Sequence, residues 1–247
     1  MSRLSNFYLL TYNSLQAFGW YVSFFSPIFY FLFFIFFFCH HGSVFLVGRT
    51  ISLYRLLDSF VATKSTSGAY SSAGELICFL QTAAFLEIIH GAIGLVPTGV
   101  LLPLMQWGGR VHFLVAVVRQ LHEVQQLPSV FITFLAWSLS EVIRYSHHAL
   151  NCLGVSLFWL TYLRYTAFII LYPIGVTIGE MWLMYQAIPF MIKNNLYADA
   201  FGYLPFSYYN AIKVLLFVYP LFFLKLYLHL FKQRKSKLGK QHKKKRN

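Results

Sequence analysis

Long apolar stretches constrain this chain more than any other feature. A helix that crosses the hydrocarbon core of a bilayer needs about 20 mostly apolar residues. Such stretches run from about Leu15 to Cys39, Leu76 to Val96, Gly99 to Val118, Ser129 to Leu150, Val155 to Pro173 and Ala211 to Phe231. The fifth has an open continuation past Glu180. Only 11% of the 247 residues are charged, against roughly 25% in soluble domains, so the chain cannot cover a globule with solvated groups. The expected fold is all-α: a polytopic membrane protein with six transmembrane helices in one bundle, 1–231, followed by a basic tail, 232–247. Gly42–Ala73 reads as a loop with an interfacial helix at Val44–Val61. A span there would have to partner Arg49, Arg55 and Asp58.

Charge sets the expected topology. Net charge is +13, and the run from Lys232 to Arg246 is basic without an acid, which reads as a solvated tail. After an apolar segment, lipid headgroups are its expected partner, not nucleic acid. The positive-inside rule places this tail in the cytosol, and an even number of spans brings the N-terminus to the same side. Lys244-Lys245-Arg246-Asn247 matches a Lys-Lys-x-x retrieval signal of the endoplasmic reticulum. No basic n-region with a small-residue cleavage site opens the chain. Cys39, Cys78 and Cys152 lie in or beside apolar runs without framework or zinc spacing.

Ionisable residues inside a membrane are costly, and each is a candidate for function or for internal pairing. Glu87 and His90 are three apart and share a helical face, as a structural polar pair or as a relay. No third ligand accompanies them, so no metal is expected. Glu141, Arg144 and Tyr145 form a second cluster. Glu141 can neutralise Arg144 within one helix, or Arg144 can hold a phosphate or thioester oxygen. Arg110 follows Gln106 by four residues across Gly108-Gly109, a pattern of close packing or a local break. Arg164-Tyr165 precede the richest stretch, Tyr172-Pro173-Ile174-Gly175-Val176-Thr177-Ile178-Gly179-Glu180. Pro173 frees a backbone carbonyl and distorts the helix, and the glycines permit close approach. Tyr172 is either an interfacial anchor or, with Glu180, half of an acid–base pair.

In order, these fragments resemble the 3-hydroxyacyl-CoA dehydratase family, also called the protein-tyrosine-phosphatase-like A family. The marks are Tyr8-Leu9-Leu10 with Tyr12-Asn13 and Gly19-Trp20; Gln81-Thr82-Ala83 with Glu87 and His90; Gly94-Leu95-Val96; and Gln106 with Arg110. Trp137-Ser138 with Glu141-Val142-Ile143-Arg144-Tyr145, and Leu163-Arg164-Tyr165 with Tyr172-Pro173, Gly175-Val176 and Glu180, are the most specific. The resemblance implies a six-span enzyme of the endoplasmic reticulum. It would convert long-chain (3R)-3-hydroxyacyl-CoA to trans-2-enoyl-CoA, beside a condensing enzyme and two reductases, with no cofactor. It maps the catalytic tyrosine and glutamate onto Tyr172 and Glu180, and leaves Glu87, His90, Gln106, Arg110, Glu141, Arg144, Tyr145, Arg164 and Tyr165 as supporting or substrate-binding residues.

The chain departs from the family pattern in the spacing of the pair. The usual spacing is one residue shorter than the eight positions between Tyr172 and Glu180. On a regular α-helix one residue is a rotation of about 100°, and a bulge near Gly175 or Gly179 would absorb it. Further departures are His148, where an aromatic is common, and Trp107-Gly108-Gly109 between Gln106 and Arg110. The family's older name suggests phosphatase chemistry, but the residues six after Cys39, Cys78 and Cys152 are Phe45, Ala84 and Phe158, not arginine. Dehydration needs a base for the α-proton and a donor for the leaving hydroxyl. Sequence leaves both divisions of these tasks between Glu180 and Tyr172 open. The alternatives are an inactive family member serving as scaffold or lipid-binding subunit, separated by assay of the purified protein, and a proton-coupled transporter, separated by flux across sealed vesicles.

Overall fold

The computed structural model describes residues 44–93, 100–203 and 205–246. The expected first span, Leu15–Cys39, lies outside them, as do the fragments from Tyr8 to Trp20, Gly94-Leu95-Val96, and the side chains of His90, Cys152 and residues 240–246. By internal contacts the chain divides into Met1–Val44 and Phe45–Asn247, and the second unit carries the site.

Among the described residues every element is helical. Helix α1 covers 44–63. It is followed by α2 (Ala69–Ala83), α3 (Phe85–Ala92) and α4 (Leu101–Val111), which runs on as a π-helix over His112–Val118. Then come α5 (His122–Gln125), α6 (Pro128–Cys152), α7 (Phe158–Arg164) and α8 (Phe168–Pro173), which continues as a second π-helix, Ile174–Met181. The chain finishes with α9 (Trp182–Lys193), α10 (Ala198–Phe201) and α11 (Tyr208–Arg246). Helix boundaries follow local chemistry. Pro128 opens α6 at its first turn, where its missing N–H costs nothing. Gly154, at φ +73°, closes it: Val155 N–H reaches Leu150 O and Gly154 N–H reaches Asn151 O, the pair of bonds that satisfies the last carbonyls of a helix.

Four runs among the described residues are long and apolar enough to cross a membrane: Ala69–Ile89, Leu101–Val118, Phe158–Lys193 and Tyr208–Gly239. They correspond to the expected second, third, fifth and sixth spans. The expected fourth, Ser129–Leu150, is helical as α6, but its polar residues keep it below the other four in apolarity. The expected loop Gly42–Ala73 contains the helix anticipated at Val44–Val61, now 44–63. In that helix Arg49 and Leu56 are buried while Tyr54 and Val61 face outward. Helix α11 continues through the basic run to Arg246. Lysine and arginine are good helix formers, no proline follows Pro220, and cations near a helix C-terminus suit its dipole.

Helix α6 is the element on which the site is assembled, and the second π-helix lies against it. Two glycines make the approach possible. A Cβ on Gly179 would sit 2.4 Å from Thr133 Oγ1, and one on Gly175 would sit 3.2 Å from Ala136 Cβ. Gly108 and Gly109 play no such part among the described residues. A Cβ on Gly108 would meet nothing within 4 Å, one on Gly109 only the Tyr219 hydroxyl at 3.8 Å, and α4 runs through both. Phe113, Phe134, Trp137, Leu183, Met184 and Ile212 fill the interior around this contact. The outer face of α11 is apolar and exposed at Val214, Phe217, Leu221 and Leu228, as a lipid-facing surface requires. Gly179→Ala should therefore destabilise the fold by about 1–3 kcal/mol through overpacking. Thermal unfolding in detergent checks this, and Thr133→Ala in the same chain should restore part of the loss.

Candidate active site

Pro173 begins the local chemistry. It has no N–H to offer the carbonyl four residues earlier, so Ile169 O is left without its helical donor. The hydroxyl of Tyr227 on α11 donates to that carbonyl at 3.1 Å. The backbone then runs as a π-helix from Ile174 to Met181. A π turn closes its hydrogen bond over one residue more than an α turn. It therefore takes up the additional residue between Tyr172 and Glu180, as the bulge expected near Gly175 or Gly179 would. Both side chains line one small cleft, together with Arg110, Trp137, Ser140 and Val176. The pair lies midway along Phe158–Lys193, not at the end of a helix near Pro173.

Glu180 is buried, at 4% exposure. Its two oxygens face two donors: Trp137 Nε1–H to Oε1 at 2.9 Å, and the Tyr219 hydroxyl to Oε2. These donors come from α6 and α11, so the carboxyl plane is set by two other helices. Tyr172 is held differently. Its ring stacks on Phe223 at 5.5 Å and on Tyr227 at 6.2 Å, and its hydroxyl makes no hydrogen bond among the described residues. A fixed carboxyl and an uncommitted phenol thus share one small cleft, an arrangement suited to paired proton transfers. The Arg110 guanidinium lies over the Trp137 ring, 4.8 Å from its centre, and adds a positive charge to the cleft wall.

Next to the cleft lies a network of buried charges. Glu141 accepts from Arg110 Nη1 on Oε1 and from Arg144 Nε on Oε2, each at 2.6 Å. Arg144 also donates from Nη1 and Nη2 to Glu87 at 2.7 and 3.1 Å, and from Nη2 to Tyr145 Oη at 2.8 Å. Tyr145 in turn donates to Glu87 Oε1. The intrahelical pair expected from the spacing of Glu141 and Arg144 is present. It is one link of a chain that ties α3, α4 and α6 together. Every nitrogen of Arg144 is committed within the protein, which leaves it poorly placed to hold a phosphate or thioester oxygen. Glu87 pairs with α6.

The remaining expected residues are scattered. Gln106 forms no hydrogen bond among the described residues. Arg164 lies over Tyr165 at 5.9 Å, and Tyr165 meets His147 edge-on. Among the described residues no group of His, Cys, Asp and Glu could hold a metal ion. Several contributors escaped the sequence reading. Trp137 was noted only as a motif residue. Tyr219 gave no signal beyond being a phenol in an apolar helix. Arg49 stands in the helix expected at Val44–Val61 and is 1% exposed; it donates to Gln81 Oε1 at 3.1 Å, and its Nε and Nη1 have no partner among the described residues.

Comparisons with known proteins place the chain in a family. The model of the family "protein tyrosine phosphatase-like protein, PTPLA" matches residues 81–240. The chain is 35% identical over 212 residues to very-long-chain (3R)-3-hydroxyacyl-CoA dehydratase 2 of Homo sapiens, covering 83% of this chain and 82% of that one. It is 36% identical to the Mus musculus protein of the same name over the same length. It is 32% identical over 183 residues to dehydratase 1 of Canis lupus familiaris, covering 72% and 73%. No solved structure matches. The chain belongs to the protein tyrosine phosphatase-like PTPLA family, whose matched segment includes the cleft, the paired carboxylates and the π-helix between Tyr172 and Glu180.

Removing one partner of a buried ion pair strands the other charge and costs about 3–5 kcal/mol. Glu141→Ala strands the buried Arg110 guanidinium and leaves Arg144 with Glu87 alone as its carboxylate partner, so it should lower the unfolding temperature sharply. Arg144→Lys should rescue little, since one ammonium cannot reproduce the bonds made by Nε, Nη1 and Nη2. Thermal unfolding of the purified variants in detergent checks both.

Proposed function

We propose that the chain is a very-long-chain (3R)-3-hydroxyacyl-CoA dehydratase, a hydro-lyase of fatty-acid elongation in which Tyr172 and Glu180 are the acid–base pair. The reaction and the substrate class come from the names of its relatives. The observation that carries the assignment of the pair is the convergence of Tyr172, Glu180 and Arg110 on one cleft, with a π-helix between the two residues where a regular helix would separate them. The same observation favours a working enzyme over the inactive scaffold, because the additional residue has not pulled the pair apart.

The chemistry follows from the hydrogen bonds. Two donors face the Glu180 oxygens, which suits a carboxylate, and each oxygen keeps a lone pair for a further proton. Glu180 is therefore the base that takes the proton from C2 of the substrate. The Tyr172 hydroxyl, uncommitted, donates its proton to the 3-hydroxyl. The electron pair of the C2–H bond becomes the second bond between C2 and C3 as the C3–O bond breaks and water leaves. The proton on Glu180 then returns to the Tyr172 oxygen by way of water, restoring the site. Arg110, on the cleft wall, stabilises the negative charge that grows on the thioester oxygen. The reaction has no net redox change, so it calls for no nicotinamide or flavin.

A site midway along a membrane-crossing run suits a substrate whose acyl chain is solvated by lipid and by the apolar helix faces. Six spans, residence in the endoplasmic reticulum with both termini cytosolic, and association with the condensing enzyme and reductases of the cycle belong to the same proposal. The test is conversion of a long-chain (3R)-3-hydroxyacyl-CoA by the purified chain in detergent, beside Tyr172→Phe and Glu180→Ala. The parent should form trans-2-enoyl-CoA, and each variant should lose about 100-fold or more in kcat while unfolding at the parent's temperature. A parent inert at every chain length would return the scaffold reading.

A further inference from the structure

We infer that Tyr219 is a positioning residue of the active site, whose hydroxyl fixes the Glu180 carboxyl from α11. The inference rests on the dehydratase reading above and goes beyond the acid–base pair. Glu180 stands on the π-helix, whose wider turns fix a side chain's direction less firmly through the backbone alone than the packing around it does. Its carboxyl has three torsions to settle before its oxygens reach any one point. Trp137 N–H on Oε1 at 2.9 Å restrains one oxygen, and a single hydrogen bond leaves the carboxyl free to rotate about it. The Tyr219 hydroxyl on the other oxygen removes that freedom.

The register of α11 makes this more than one polar contact. Tyr219, Phe223 and Tyr227 recur every four residues and so lie on one face of the helix. Phe223 and Tyr227 stack on the Tyr172 ring, at interplanar angles of 18° and 1°. Tyr227 also donates to Ile169 O, the carbonyl that Pro173 leaves free. One face of α11 thereby holds Glu180, the ring of Tyr172 and the backbone leading to Tyr172. Tyr219 is the member of that face whose hydroxyl meets the proposed base. In apolar surroundings a phenol needs a partner for its O–H, and the partner here is the base itself.

The test compares the parent with Tyr219→Phe, which keeps the ring and removes the hydroxyl, and with Tyr208→Phe. The latter removes a hydroxyl contact with His112 from the same helix, away from the cleft. Turnover is measured with ordinary and C2-deuterated long-chain (3R)-3-hydroxyacyl-CoA. For Tyr219→Phe we expect kcat to fall about tenfold or more, KM to stay within about twofold of the parent's, and the isotope effect to rise, because the misplaced base makes proton abstraction slower. Trp137→Phe, which removes the other donor, should raise the isotope effect as well. Tyr208→Phe should leave it unchanged. An unaltered kcat and isotope effect in Tyr219→Phe would overturn the role, as would an equal loss in Tyr208→Phe, which would mark a general effect of weakening α11. An inert parent would instead overturn the dehydratase reading on which the role rests.

Discussion

The site depends on how closely a π-helical stretch of backbone can lie against α6. A π turn carries one residue more than an α turn and is rarely stable by itself. Here it is sustained from several sides. Pro173 disturbs the ladder at its start, Tyr227 answers the carbonyl that Pro173 leaves free, and Gly175 and Gly179 bring the backbone against Ala136 and Thr133. That contact brings Glu180 within reach of the indole of Trp137. Tyr172 lines the same cleft.

The buried charges divide into two sets with different work. Glu87, Glu141, Arg144 and Tyr145 satisfy one another almost completely. In a bundle with few solvated surfaces, such a network orients helices because each misalignment would strand a charge. Glu180 stands apart from it, held by neutral donors, with no arginine in hydrogen-bond contact among the described residues. Arg110 joins the two sets. One of its nitrogens is committed to Glu141, while its guanidinium lies over Trp137 and borders the cleft. The structural network therefore fixes a cation at the edge of the reaction space.

Helix α11 shows how an apolar segment can carry specific information. One face is exposed and apolar, at Phe217, Leu221 and Leu228. The other presents Tyr219, Phe223 and Tyr227 to Glu180 and Tyr172. Both faces read alike by hydropathy, because phenols count as apolar over most of their surface. The hydroxyls that matter are distinguished only by what they meet.

The amino-acid sequence by itself determined that the chain carries helical runs long and apolar enough to cross a membrane, since about 20 consecutive apolar residues suit a helix in lipid. It also determined the family, through ordered fragments, and singled out Tyr172, Glu180, Glu141 and Arg144, because ionisable groups in apolar segments are conspicuous. It could not give the partners. Glu87 reads as a neighbour of His90, but its bonds go to α6. Arg49 reads as a residue of an interfacial helix, but that helix buries it against Gln81. Tyr219 and Trp137 lie 39 and 43 residues from Glu180, a separation at which no local pattern operates. Only the tertiary structure decided whether eight positions between tyrosine and glutamate keep the pair together. That outcome turns on the hydrogen-bond ring adopted by the backbone, and packing against α6 and α11, not local propensity, selects the wider one.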